Sequence, residues 1–396
     1  MRNCIVVLGV LAVLGSGCQV RQALKQSIPA SPTIGIQDER TERISQAIRE
    51  TMRKEGIPGL SIAIIDGGRL VWAQGFGWRD VEHRLPVDVD TQFQAGSISK
   101  PVTALGVLLL EAGGQVDLDA DVNRYLKDWH LDSKYPDQPV TLRLLLHHCA
   151  GMAPHGFLGY SERKEPPSLV EVLNRRDSLS GWLTGHALGQ VKVVDPPGSR
   201  FRYSGGGYCV AQKVMEDVTG EPFEETMSRV VLEPLHMSRS HFRQPPLEEE
   251  TGNAAHGYSW MKTVVYGGRW GVFPQKAAAG LWTTPQDLAR CIVAVQKAKA
   301  GEPAGPISPA MAEAFLKPQF DAWMGTGIFL DGAGENRGFF HAGENLGYFA
   351  RFGASVSTGR AWVIMTNAQK DRFRPILEAV AEEFGWIDPG KEVGKN

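Results

Sequence analysis

The sequence predicts an α+β fold: an antiparallel sheet flanked by N- and C-terminal helices, with a mostly helical insertion. Three observations carry this expectation. A hairpin pattern stands near the start, a run of strand patterns closed by a helix stands near the end, and residues from about 115 to 320 between them show helical periodicity broken by Pro/Gly loops. At 396 residues the chain suits one large body with an inserted subdomain, and can bury a sizeable core.

Met1-Arg2-Asn3 gives a short positive start, Cys4 to Leu14 an apolar run, and Gly15-Ser16-Gly17-Cys18 a small-residue close. Residues 1–17 therefore read as a signal peptide, too short to span a bilayer comfortably, and the chain as exported to the periplasm or beyond. The residues before Cys18 resemble a lipoprotein cleavage site, although Gly15 holds the place where leucine is usual. Attachment to a membrane through a lipidated Cys18 and simple secretion both stay open. Residues 18–41, polar and containing Pro29 and Pro32, read as a tether, so the folded body is expected from about 42 to 385, with a tail over 386–396.

Within the body, Ile44 to Met52 carry apolar residues at helical spacing, and Gly56-Ile57-Pro58-Gly59 ends the helix. Leu60 to Ile65 and Arg69 to Gln74 are β-rich runs on either side of Asp66-Gly67-Gly68, a hairpin signal. Toward the end, strands are expected at Gly327 to Leu330, Gly338 to His341, Tyr348 to Phe352 and Ala361 to Thr366, then a helix from about Arg374 to Phe384.

Forty-two Lys and Arg against forty-four Asp and Glu, with no long run of one sign, argue against nucleic acid as a partner. Beyond the leader, Cys149, Cys209 and Cys291 are odd in number and widely spaced, which fits structural thiols. His147 and His148 precede Cys149, but no second ligand pair follows at finger spacing, so no metal and no cofactor is expected.

The chemistry is signalled by Gln94-Ala-Gly-Ser-Ile-Ser-Lys-Pro101, which leads into the apolar run Val102 to Leu110. Pro101 belongs in a first helical turn, so a helix starts close to Ser97 and brings the Lys100 amine within reach of the Ser97 hydroxyl. A serine needs a nearby base, and burial can free a lysine to act as one. The same spacing recurs at Ser161 to Lys164 and Ser259 to Lys262, but only Ser97 stands directly before a long apolar helix.

Two further elements support the pair. Pro197-Gly198 leads through Tyr203-Ser204-Gly205 into a helical pattern over Cys209 to Val218. Tyr203 beside a cationic lysine would lose its proton more readily and act as a general base. His341-Ala342-Gly343-Glu344 ends a strand, where small residues let a substrate lie along the edge. There the Glu344 amide can complete an oxyanion hole with the Ser97 amide. Trp282, Tyr160 and Trp323 are candidate pocket aromatics, for which core packing is the default reading.

Ordered as Ser-x-x-Lys, Tyr-Ser-x and His-x-Gly, these residues resemble the three motifs of class C β-lactamases and their D,D-peptidase and esterase relatives. The segments Val140 to Met152 and Ala278 to Ala289 are similar to the family's pocket helix and strand-to-helix segment, and the likeness covers about residues 42 to 385. The resemblance implies a β-lactamase/transpeptidase-like fold and an acyl-enzyme mechanism without a cofactor. In it Ser97 is the nucleophile, Lys100 and Tyr203 move protons, and Gly205, His341, Gly343 and Glu344 meet a small-molecule or peptide substrate. Gly205 stands where the family commonly has Asn, and His341 where β-lactamases usually carry Lys, so efficient penicillin destruction is not the first expectation. The expected activity is hydrolysis of esters or small amides. A D,D-carboxypeptidase, D-aminopeptidase or β-lactamase is the first alternative, and a catalytically silent wall-binding protein the second.

Overall fold

Leu60, Ile62 and Ile64 alternate with Ser61, Ala63 and Ile65, and all six are buried, so this strand has a protein layer on both faces. The computed structural model describes residues 20, 22–25, 27–174, 190–259, 265, 268–334, 337–369 and 371–386. The leader, Cys18, Lys262 and the tail from 387 lie outside them.

The main sheet comprises β1 (Ile34–Gly35), β2 (Gly59–Asp66), β3 (Arg69–Asp80), β4 (Leu85–Pro86), β5 (Phe329–Asp331), β6 (Gly338–Asn345), β7 (Tyr348–Ser355) and β8 (Ala361–Thr366). Its order is β1-β3-β2-β8-β7-β6-β5, with β4 beside β3, and every pairing is antiparallel. The two ends of the chain meet where β8 pairs β2, from Ala361 opposite Ile65 to Thr366 opposite Leu60. β5 covers only Gly338 to Phe340 of β6, so His341 to Asn345 form an edge with no strand beside it.

On the outer face α1 (Glu39–Glu55) sets Ile44, Ile48 and Met52, and α6 (Arg374–Phe384) sets Ile376, Leu377 and Val380, into one cluster with Leu60, Ile62 and Ile64. α1 starts earlier than its apolar spacing suggests, because the Asp38 carboxylate accepts from the amides of Arg40 at 3.0 Å and Thr41 at 3.3 Å. The inner face packs Ala63, Ile65, Phe352 and Val363 against α2 (Ser99–Ala112) and α5 (Pro285–Lys299). The remaining insertion holds α3 (Leu142–Leu146), α4 (Gly205–Thr219) and strand pairs of only two residues. Among the described residues no helix is long and apolar enough to cross a membrane.

The tether expectation needs correcting for its described part. Val20, Leu24 and Ile28 are buried in the outer cluster, and Ile34 and Gly35 pair with Ala73 and Trp72 of β3. Its sequence reads as free because Val20, Leu24 and Ile28 are diluted by polar residues and by Pro29 and Pro32, yet spacing by four suffices to seat them. Leu24→Asp is therefore expected to cost about 2–4 kcal/mol of stability, since it removes a buried side chain and buries a charge. Urea unfolding measures this; an unchanged midpoint would mean that the segment contributes nothing.

Candidate active site

Ser97 lies on a one-turn 3₁₀ segment, Gly96–Ile98, that runs directly into α2. The Ser99 hydroxyl fixes this turn by donating to Gly96 O at 2.6 Å and accepting from the Leu281 amide at 2.9 Å. One turn further, the Lys100 Nζ donates to Ser97 Oγ at 2.9 Å and to Ala278 O at 2.8 Å. Only 2% of Lys100 is exposed, and burial brings its amine down to about 7. Near neutral pH a large share of it is therefore a free base.

The Ser97 turn presses against β6 with almost no clearance. A Cβ on Gly343 would stand 1.9 Å from Ala95 O and 2.8 Å from the Ser97 amide nitrogen; one on Gly96, at φ +52°, would stand 2.6 Å from the Glu344 amide nitrogen. Any side chain at either place would force the strand off the turn. The contact brings the Ser97 and Glu344 amides together at the open edge of β6, the arrangement an oxyanion hole requires. Asn345 adds a clamp, its Nδ2 donating to Gln94 Oε1 at 2.8 Å and to Ala279 O at 3.1 Å.

Tyr203 approaches Ser97 from the loop before α4, both lining the same cleft, with its ring centroid 5.0 Å from Lys100 Nζ. Burial pushes this phenol up, and the nearby Ser97 side chain offsets only part of the effect. That corrects the expectation of an easily ionised tyrosine. The same desolvation that lowers the Lys100 amine removes the cation that would have steadied a phenolate. Lys100 is thus the free base, and Tyr203 starts as a proton donor.

Two histidines that the motifs did not single out hold this phenol in place. His148, at φ +57°, stacks on the Tyr203 ring at 4.2 Å, and its Nδ1 accepts from the Ser204 amide at 3.0 Å. The His155 ring centroid lies 4.8 Å from that of the same tyrosine. The doublet before Cys149 was legible in the sequence, but a search for metal ligands is the wrong test for a residue whose task is stacking. Among the described residues no group of His, Cys, Asp and Glu could hold a metal ion. Cys149, Cys209 and Cys291 are buried free thiols.

His341 is 1% exposed, and its Nδ1 lies 2.7 Å from Ala342 O, so Nδ1 carries the proton and Nε2 the lone pair. Burial first, then the nearby Lys100, bring His341 down to about 3; burial likewise brings His147 to about 4 and His148 well below its ordinary value. Their folded-state values lie below that of a free histidine, near 6.5, so the unfolded chain takes up protons first on acidification. The stability they contribute is complete above pH 6.5 and lost as pH falls toward 4. A drop of roughly 1.4 kcal/mol per pH unit for each is expected in urea titrations over that window, and a flat profile would contradict neutral burial.

Gly205 begins α4, and its amide donates to His155 O at 2.8 Å. A Cβ there would stand 3.2 Å from both His155 O and Phe157 Cε2, so a side chain at this position would need the 155–157 segment to give by a few tenths of an ångström.

All seven expected residues, Ser97, Lys100, Tyr203, Gly205, His341, Gly343 and Glu344, line one cleft of about 1190 Å³. Trp323 also lines it, whereas Trp282 is fully buried in the core and Ser161 sits in the two-residue strand Tyr160–Ser161 with no helix after it.

A family model described as Beta-lactamase matches residues 44–383, across both halves of the sheet and the whole cleft. The chain belongs to the β-lactamase family. Among solved structures it is similar to the octameric penicillin-binding protein homologue from Pyrococcus abyssi, with a TM-score of 0.67 and 27% identity over 89% of this chain and 79% of that one. Among curated relatives, Protein flp of Staphylococcus aureus strain N315 is 23% identical over 62% of this chain and 45% of its own. Teichoic acid D-alanine hydrolase of Staphylococcus aureus is 26% identical over 61% of this chain and 55% of its own. The chain thus spans about half the length of the curated relatives it matches. In this β-lactamase-family chain the Ser-x-x-Lys, Tyr and His-x-Gly residues stand on three separate elements, α2, the loop before α4, and β6.

Proposed function

We propose that this protein is a serine hydrolase that cleaves ester or small amide bonds through an acyl-enzyme on Ser97. The observation that carries the reading is the 2.9 Å contact from a buried, largely uncharged Lys100 amine to the Ser97 hydroxyl. Lys100 takes the hydroxyl proton as Ser97 Oγ bonds to the substrate carbonyl carbon, and the Ser97 and Glu344 amides receive the oxyanion. Tyr203 gives its proton to the departing oxygen or nitrogen as that bond breaks, and the Lys100 ammonium restores it. Water, deprotonated by the same relay, then releases the acyl group and regenerates Ser97.

Neutral esters are favoured over peptides ending in a carboxylate. A β-lactamase lysine at position 341 would grip an anion, whereas His341 is uncharged above pH 3 to 4 because of its burial. Gly205 also lacks the side-chain amide that would contact an acyl-amide substrate. A second reading, release of D-alanine or a D-alanyl unit from a cell-wall polymer, is supported by the likeness to teichoic acid D-alanine hydrolase. The assembled cleft counts against a silent wall-binding protein. Turnover of p-nitrophenyl butyrate, a D-alanyl peptide and nitrocefin ranks these readings. The ester is expected to lead, and dominance of nitrocefin would overturn the preference.

The site of action proposed is the cell envelope, supported by the apolar run from Cys4 to Leu14 and the small residues before Cys18. Fractionation of cells making the native chain and Cys18→Ala separates a lipid anchor, which the variant loses, from secretion, which it keeps.

A further inference from the structure

One wall of the cleft is a continuous run of aromatic rings, of which the catalytic steps use only the first. It starts at Tyr203, whose ring stacks on Phe329 at 6.3 Å and 19°. Phe329 in turn stacks on Trp323 at 6.0 Å and 23°, and packs on Phe340 at 5.6 Å. Trp323 meets Phe201 edge-on at 4.5 Å. Phe201 lies two residues before Tyr203, so the wall and the proton donor share one loop.

At the outer end the wall is left wet. Trp323 is 39% exposed and Leu158 is 44% exposed, although both line the cleft. Few other large apolar side chains among the described residues are so exposed, and these two stand beside the nucleophile's cavity. Apolar surface at such a place is covered favourably when a ligand brings apolar area of its own. The wall extends two ring spacings from Tyr203 to Trp323, enough for one phenyl ring or a chain of about six carbons.

We infer that the Phe201, Trp323 and Phe329 wall is a specificity subsite that receives an aromatic or medium-chain apolar substituent of the substrate, with Trp323 its determining residue. This deepens, and rests on, the Ser97 hydrolase reading. The preferred substrate is then an ester with a bulky apolar group on one side of the scissile bond. Short polar esters fill the cleft poorly and leave Trp323 in water.

Two substrate series test this: p-nitrophenyl acetate against hexanoate on the acyl side, and ethyl acetate against 2-phenylethyl acetate on the alcohol side. The native chain is expected to favour the larger member of one series by about tenfold or more in kcat/KM, chiefly through KM. Trp323→Ala is expected to abolish that preference, with the loss falling chiefly on the larger ester, and Trp323→Tyr to restore most of it. Equal turnover of large and small esters in both series, or a preference that survives Trp323→Ala, overturns the subsite and leaves the hydrolase standing. Failure to turn over any of the four esters overturns the hydrolase reading, and the subsite with it.

Discussion

Replacing Ser97 with alanine is expected to lower kcat toward esters by about 10⁴-fold or more, with folding untouched. The size of the effect follows from the arrangement. Ser97 Oγ is the atom that Lys100 contacts and that must bond to the substrate before Tyr203 or the paired amides have an oxyanion or leaving group to serve, so removing it idles the others together. The loss belongs in kcat, because the aromatic wall and the β6 edge that bind substrate remain. Stability should change little, since Ser97 is partly exposed and the turn is fixed by Ser99. Steady-state hydrolysis with thermal unfolding of the same preparation measures both. A variant that retains even a hundredth of native kcat would mean that another group carries the acyl transfer.

Lys100→Met is the second large effect, and it is expected to run in opposite directions for activity and stability. Without the amine the Ser97 hydroxyl keeps its proton, and kcat should fall by about 10³-fold or more. For stability the sign follows from burial. The folded-state amine sits near 7 against 10.5 for a free lysine, so between those values the unfolded chain binds more protons and stability rises with pH. Below pH 7 the penalty for burying the ammonium is at its full size. Lys100→Met should therefore unfold later at pH 6, by roughly 1–3 kcal/mol, with the gain shrinking toward pH 10. Urea titrations at the two pH values read it. A variant destabilised equally at both would mean that the lysine is held by favourable contacts and is not poised as a base.

The site was legible in the sequence where chemistry depends on local spacing. Ser97 and Lys100 fall one helical turn apart, and a proline and an apolar run announce the helix that makes the turn meaningful. The first hairpin is legible for a similar reason, because two β-rich runs and the Asp66-Gly67-Gly68 turn between them are local signals. What could not be read was whatever depends on contact between distant segments. The Tyr203 phenol was expected to ionise easily because a cation stood beside it; the fold buries both groups, and desolvation outweighs their proximity. His148 is 55 residues from Tyr203 in sequence, and no spacing announces that it will stack beneath it.

The N-terminal segment went unread for the opposite reason. Val20, Leu24 and Ile28 form too sparse a pattern to be distinguished from a tether until the outer face of the sheet is present to receive them. Gly205 shows a third kind of limit. Its departure from the family's asparagine is visible in the sequence, whereas the closeness of the 155–157 segment to it is a matter of tertiary packing.

The central claim is that a buried amine close to its own pKa activates Ser97. Its most direct test is the rate of covalent labelling by a fluorophosphonate as a function of pH, with the adduct located by peptide mapping. The labelling rate is expected to rise through a midpoint near pH 7 to a plateau, with the adduct on the peptide that contains Ser97. Labelling at another residue, or a rate that stays flat from pH 5 to 9, would contradict it.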